Sequence, residues 1–271
     1  MAGDPGPGGR EFRRALADAA GVAGLLWERG WAERNAGNLS CDVTELLPPA
    51  GGGEWRSLPQ GAPDLAGRRL LVTAAGSRMR DVARTPDRWC VVLDIGPEGA
   101  AFRVGWPGRD ATSLQPTSEL PAHLAIHAAL RRRGAAHRAV VHAHPTELLA
   151  LSHDRRLLDE ARLNALLWSL HPESVVVVPE GVAVVPYALP GTAELGRAAG
   201  AAMERHDVAL WEKHGAVAVG SDPAGAFDLI DTVNKAARVL LLCRAAGYDP
   251  EGLSASQVAE LRAACPPPST R

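Results

Sequence analysis

The run AVVHAHP at residues 139–145 restricts the fold more than any other feature of this sequence. Its apolar residues predict a short strand of the buried type, and the closing proline cannot continue a central strand. Alternate residues of a strand point to the same face, so His142 and His144 present two imidazoles side by side. Two neutral imidazoles can bind one cation, with about 2.0–2.1 Å from each nitrogen. The run therefore favours a sheet protein in which one strand supplies two candidate metal ligands.

Strand-like and helical segments alternate irregularly along the rest of the chain. A hairpin is predicted around GPEG at residues 96–99, and a strand–turn–strand over residues 174–187. Helices are predicted over residues 11–29, from Thr117 or Ser118 onward, and over residues 146–153, 159–168, 191–206 and 221–247. This alternation predicts a single α/β domain over residues 11–265, with a mixed sheet flanked by helices. A flexible stretch, residues 1–10, is expected before the domain and a disordered tail, residues 266–271, after it. The Pro/Gly-rich segment 47–67 is expected to be a long surface loop.

Composition and charge exclude several classes of function. The formal net charge of −2 gives no electrostatic argument for a nucleic-acid or membrane partner. No apolar run reaches the roughly 18 residues of a membrane helix, and the Gly/Pro-rich start is not expected to act as a signal peptide. The cysteines are scattered without a C-x-x-C pair, which predicts a reducing, cytoplasmic location. They are Cys41, Cys90, Cys243 and Cys265.

A third metal ligand must come from elsewhere in the chain, and His214 is the best candidate. It stands beside Gly215, where a strand breaks and the backbone can bring a side chain close. Three histidines leave a fourth coordination position open, which is typical of catalytic zinc. A histidine pair on a strand can also be simply packed, so this alternative stays open. The remaining histidines are expected at the surface: His137, His153, His171 and His206.

A second set of candidate ligands lies along one predicted helix. Glu119, His123 and His127 are spaced at i, i+4 and i+8, so they share a helix face. This face could bind a metal by itself. A polar helix face is more often solvated or hydrogen-bonded, so both interpretations remain.

Three short turns could bind an anion. They are GNLS at residues 37–40, TAAGS at residues 73–77 and PTSE at residues 116–119. Glycine turns and helix starts bring backbone N–H groups towards an oxyanion. The alternative for Thr117 and Ser118 is simple helix capping. Three such turns together with three histidines form a much more specific pattern than any one of them.

These residues resemble the class II aldolase/adducin family over nearly the whole chain. The motifs that carry the resemblance occur in order: GNLS, VTAAGS, PTSELPAHLAIH, HAH and WEKHGAVAVG. PTSELPAH, PGTAELG and FDLIDTVNKAARVLL are most similar to the branch that cleaves L-rhamnulose 1-phosphate to dihydroxyacetone phosphate and L-lactaldehyde. The resemblance implies a three-layer fold with a mainly antiparallel sheet. It also implies one zinc ion per chain and a cytoplasmic homotetramer with cyclic symmetry that acts on a small sugar phosphate.

The resemblance also implies a role for individual residues. Glu119 would be the catalytic acid/base, and Glu173 would reach the active site of a neighbouring subunit. The zinc ligands would be His142, His144 and His214. The phosphate pocket would be lined by Gly37, Asn38, Gly76, Ser77, Thr117 and Ser118. Ala75 departs from the family pattern, which has Thr or Ser before this glycine, so one hydroxyl contact to the phosphate is lost.

The chemistry of the residues agrees with metal-dependent carbon–carbon bond cleavage. A metal stabilises the enediolate that cleavage leaves on the donor half of the substrate. A carboxylate such as Glu119 must then protonate the carbanion carbon, and its pKa is expected to be raised next to a dry metal. The two lysines, Lys213 and Lys235, do not stand in contexts typical of Schiff-base catalysis.

Several other functions remain open within the family. They are a fuculose-phosphate aldolase, a pentulose-phosphate 4-epimerase, a thio-sugar phosphate dehydratase and a non-catalytic adducin-like scaffold. Having only two tyrosines, Tyr187 and Tyr248, favours a carboxylate over a phenol as the second proton carrier. The presence of all three histidines argues against the scaffold.

Overall fold

A nine-stranded sheet forms the centre of the protein. The computed structural model describes residues 7–48, 53–106 and 114–266. The strands are β1 Asn38–Asp42, β2 Arg56–Ser57, β3 Arg69–Thr73, β4 Cys90–Ile95, β5 Ala101–Trp106, β6 Ala139–Ala143, β7 Val182–Val185, β8 Val208–Trp211 and β9 Gly215–Gly220. Their order is β2-β5-β4-β3-β1-β6-β9-β8-β7. Only β7 and β8 pair in parallel, so the predicted mixed, mainly antiparallel sheet is confirmed.

Helices cover both faces of this sheet. They are α1 Pro7–Glu28, α2 Met79–Val82, α3 Pro86–Trp89, α4 Leu120–Arg133, α5 Thr146–Leu151, α6 Glu160–Leu170, α7 Pro172–Val177, α8 Ala193–Ala202, α9 Pro223–Ala245 and α10 Ala255–Ala264. One core layer lies between the sheet and α1, α5, α6 and α9, and the other lies under α4 and α8. In β6, Val141 packs into the first layer and Val140 into the second. His142 follows Val140 at i+2, so its side chain lies on the α4 side of the sheet.

Most local predictions are confirmed, and two are wrong. The hairpin around residues 96–99 is formed by β4 and β5. The helix predicted over residues 221–247 is α9, whose first turn is capped by Asp222 through a hydrogen bond from Gly225 N. Residues 172–177 form helix α7, although β-branched residues there favoured a strand. Pro172 suits the first turn of a helix, and α7 packs against α6, α9 and α10, so tertiary packing overrides the strand preference. The N-cap of α4 is Glu119, not Thr117 or Ser118.

The ends of the chain and the long loop differ in detail from the expectation. Helix α1 begins at Pro7, not near residue 11, and α10 was not predicted. The segment 47–67 contains strand β2 and a short 3-10 turn at Pro63–Leu65. Residues 1–6, 49–52 and 267–271, on which part of the flexibility predictions rests, lie outside the described residues. Within the described ranges, no helix combines the length and apolar character needed to span a bilayer.

Candidate active site

Three histidines converge beside the central strand β6. His142 belongs to β6, His144 follows it, and His214 lies in the turn between β8 and β9. One nitrogen from each ring lies within 4.8 Å of the others. Gly215 makes this approach possible, because a Cβ atom there would lie 2.4 Å from the carbonyl oxygen of Ala143. The structure therefore brings the three predicted ligands together.

The immediate surroundings of His142 suit a metal ligand. Its Nδ1 donates to the carbonyl oxygen of Ala216 at 2.9 Å, which leaves a lone pair on Nε2. The side chain is only 1% exposed, and Nε2 has no hydrogen-bond partner. Burial, together with the neighbouring imidazoles of His144 and His214, lowers the pKa of His142 to about 3. A neutral imidazole with an unpaired, buried nitrogen fits a metal ion.

Neighbouring side chains also orient the rings of His144 and His142. His144 Nδ1 lies 2.8 Å from Glu33 Oε1, so the carboxylate can hold the Nδ1–H tautomer and leave Nε2 free. Trp211 stacks on His142 with ring centroids 4.6 Å apart, which restrains the orientation of this ring. Glu33 was not predicted from the sequence. No periodicity connects it with His144, and only the tertiary fold brings them together.

Glu119 is buried and faces the histidine cluster. Its Oε1 lies 3.1 Å from His214 Nε2 and its Oε2 lies 3.4 Å from His142 Nε2. Asn38 Nδ2 donates to Oε2 at 2.9 Å. Burial raises the pKa of the Glu119 carboxyl, but attraction to His142 and hydrogen bonds from His214 and Asn38 lower it more, so this pKa lies well below its usual range. In this arrangement the contacts favour the ionised carboxylate. The raised pKa expected for Glu119 beside a bound metal stays a prediction.

The alternative metal face on α4 is a hydrogen-bonded face. His123 Nδ1 and His127 Nε2 lie 2.7 Å and 2.8 Å from the Ser40 hydroxyl, and both rings are buried. Across the described residues, His142, His144 and His214 form the one group of three histidine, cysteine or acidic side chains that is close enough to hold a metal.

A cavity of about 170 Å³ opens beside this cluster. The three predicted turns meet around it, and Gly37 and Gly76 turn the chain there with φ of +75° and +73°. Asn35 and Ala75 are among its lining residues, and Asn35 was not predicted from the sequence. All six predicted phosphate-pocket residues line this cavity with Glu119 and the three histidines: Gly37, Asn38, Gly76, Ser77, Thr117 and Ser118.

Glu173 lies away from the cavity of its own chain. It is in the first turn of α7, its side chain is 63% exposed, and its carboxylate pairs with His171 at 3.1 Å. The fold of one chain does not bring Glu173 to Glu119. The surface prediction for His206 is wrong, because this ring is buried and its Nε2 lies 3.3 Å from Glu160 Oε1.

The site and the fold define a class of protein, and comparison with known families agrees with it. Residues 17–241 match the family described as Class II Aldolase and Adducin N-terminal domain. The chain belongs to this class II aldolase/adducin family. Within it, the chain is a class II aldolase, a lyase that releases an aldehyde.

Three relatives support this assignment. The chain is 37% identical over 265 residues to rhamnulose-1-phosphate aldolase of Bacteroides thetaiotaomicron, covering 94% of this chain and 96% of the relative. It is 34% identical over 245 residues to rhamnulose-1-phosphate aldolase of Yersinia pestis, covering 88% of each chain. The solved structure of a sugar-phosphate aldolase from Thermotoga maritima matches with a TM-score of 0.75 and 33% identity. That match covers 89% of this chain and 100% of the other.

Proposed function

We propose that this enzyme cleaves a ketose 1-phosphate by a zinc-dependent retro-aldol reaction to dihydroxyacetone phosphate and an aldehyde. The best substrate would be L-rhamnulose 1-phosphate, which gives L-lactaldehyde. One observation carries the proposal: a single cavity joins the histidine cluster and Glu119 to three turns rich in N–H and hydroxyl groups. The names of the relatives supply the substrate class.

His142, His144 and His214 would hold one zinc ion per chain. When bound, zinc supplies Lewis-acid stabilisation of the negative charge that develops on the donor half of the substrate. Glu119 would carry the proton of the donor carbon. As a carboxylate it would remove this proton in the direction of aldol addition, and by microscopic reversibility the same carboxyl returns the proton during cleavage.

The phosphate group of the substrate would lie against the turns. Thr117, Ser118 and Ser77 offer hydroxyl groups, and Gly37 and Gly76 let the backbone approach closely. Among the described residues that line the cavity, none is Lys or Arg. The phosphate would therefore be held by hydroxyl and N–H donors, and Ser77 would compensate for the hydroxyl group missing at Ala75.

A panel of ketose 1-phosphates tests this function, with dihydroxyacetone phosphate release as the readout. We expect L-rhamnulose 1-phosphate to give the highest kcat/KM. Dephosphorylated L-rhamnulose should react far more slowly, because its binding lacks every phosphate contact. If kcat/KM were higher for L-fuculose 1-phosphate than for L-rhamnulose 1-phosphate, the assignment of the aldehyde half of the substrate would be wrong. Equal kcat/KM for the dephosphorylated ketose would contradict the phosphate pocket, and no release from any ketose would contradict the proposal as a whole.

Glu173 would complete the active site of a neighbouring subunit in a cytoplasmic homotetramer with cyclic symmetry. Its exposed carboxylate is remote from Glu119 of its own chain, so a contribution to catalysis requires a second copy. A closed cyclic assembly repeats one such heterologous contact in every subunit. The four cysteines are free, which suits a reducing compartment.

Mixed oligomers test the shared site. Glu119→Gln and Glu173→Gln chains, each nearly inactive alone, should regain part of the activity after they are unfolded together and reassembled. Some interfaces would then carry both intact carboxylates. Reassembly of either variant with itself is the control. Inactive mixed oligomers, or a fully active monomer in sedimentation, would contradict a catalytic role for Glu173.

A further inference from the structure

A buried polar contact between β1 and α4 lies directly behind Glu119. Asn38 and Ser40 are two residues apart on β1, so both side chains lie on the face that α4 covers. His123 and His127 are one turn apart on α4 and point to the sheet. Two residues along a strand cover about 6.8 Å and four along a helix about 6 Å, so the two spacings match. This match lets the side chains pair across the contact.

The hydrogen bonds of this contact run in one direction. Asn38 Nδ2 donates to Glu119, so Asn38 Oδ1 must accept, and it lies 2.5 Å from His123 Nε2. His123 therefore carries its proton on Nε2, and its Nδ1 can accept from the Ser40 hydroxyl at 2.7 Å. The single hydroxyl proton of Ser40 is then used, so its oxygen accepts from His127 Nε2 at 2.8 Å.

Burial keeps both histidines of the contact neutral. It lowers the pKa of His123 to about 3 and that of His127 to about 4. A neutral His123 can donate through one nitrogen only, which excludes the reverse direction between His123 and Ser40. Every donor from His127 to Asn38 thus points towards Glu119.

We propose that His123 is a positioning residue for Glu119. The Nε2–H group of His123 holds the Asn38 amide with its NH₂ group towards the Glu119 carboxylate. Ser40 and His127 fix the tautomer of His123. Without this donor, the Asn38 amide is free to rotate and turn its oxygen towards Glu119 Oε2. The carboxylate would then lose a charge-assisted hydrogen bond and its orientation in the cavity. The inference rests on the proposed role of Glu119 in aldol cleavage.

Two substitutions of similar shape separate the hydrogen bond from simple packing. His123→Gln keeps an N–H donor for Asn38, whereas His123→Met fills a similar volume without one. Loss of a hydrogen bond to a charged group corresponds to a decrease in rate of roughly 10- to 100-fold. We expect this loss in kcat for His123→Met, while KM and zinc content stay at the wild-type level. His123→Gln should keep kcat within about threefold of the wild type, since it retains the donor. Equal kcat in the two variants would overturn the proposal.

A second measurement does not depend on activity or on the folding of a variant. NMR of the wild-type protein with ¹⁵N-labelled histidine should show His123 and His127 as neutral Nε2–H tautomers. An Nδ1–H tautomer or an imidazolium at His123 near neutral pH would overturn the directed chain. If the wild type releases no dihydroxyacetone phosphate from any ketose phosphate, the proposed function fails, but the tautomers still decide whether the contact orients Glu119.

Discussion

Replacing Glu119 by Gln should lower kcat by about 10²- to 10⁴-fold, the usual contribution of a general acid or base. The amide is nearly isosteric with the carboxylate and can still accept from Asn38 Nδ2, so fold and metal content should be retained. It cannot take up the proton of the donor carbon. Steady-state kinetics on a ketose 1-phosphate, with metal analysis of the same preparation, measures both parts of the expectation.

Glu33→Gln is the matched control, because it makes the same chemical change on the other side of the histidine cluster. Glu33 contacts His144 but does not line the cavity. We expect it to weaken metal affinity, by about 10- to 100-fold for a residue that orients a ligand, with kcat at saturating zinc near the wild-type value. A loss below tenfold in Glu119→Gln would mean that Glu119 only begins helix α4. Loss of the metal in Glu119→Gln would make it a ligand residue and leave its proton-transfer role unsupported.

The parts of the site that follow local periodicity could be predicted from the sequence. His142 and His144 share a face because side chains alternate along a strand, and this geometry needs no tertiary information. The break at Gly215 that pointed to His214 is also visible locally, although the close approach to Ala143 that requires glycine there is a tertiary contact. Local patterns also predicted the β4–β5 hairpin and helix α9 correctly.

The parts that depend on packing between distant segments could not be predicted. Residues 172–177 carry a β-branched run, and only contacts with α6, α9 and α10 make it helical. The partner of His144 comes from a loop 111 positions earlier in the chain. The pKa of Glu119 also depends on distant segments, because attraction to His142 and hydrogen bonds from His214 and Asn38 outweigh the effect of burial and lower it.

The register of the sheet links local periodicity with packing between distant segments. Asn38, which donates a hydrogen bond to Glu119, lies directly opposite the candidate metal ligand His142 on the neighbouring strand. A shift of one residue in this register would turn Asn38 to the other face of the sheet. The carboxylate would lose its amide partner although every motif in the sequence stayed intact. The geometry of the site therefore depends on strand pairing that the motifs do not specify.

Replacing His142 by Ala should abolish stoichiometric metal binding and reduce activity to background. The variant removes a buried ligand nitrogen, Nε2, that has no hydrogen-bond partner, and two histidines alone hold zinc far less tightly. Metal analysis should give about one zinc per chain for the wild type and much less for the variant. His153→Ala, which removes an exposed imidazole, is the control and should keep both metal and activity.

Thermal unfolding with and without a chelator separates loss of metal from damage to the fold in His142→Ala. A ligand at 1,000 times its Kd stabilises the native state by about 4 kcal/mol, so the chelator should clearly lower the Tm of the wild type. The Tm of His142→Ala also reflects the lost packing against Trp211, but it should not respond to the chelator. Undiminished zinc in this variant, with a Tm that still falls on chelation, would place the metal on the Glu119, His123 and His127 face and contradict the assignment to His142, His144 and His214.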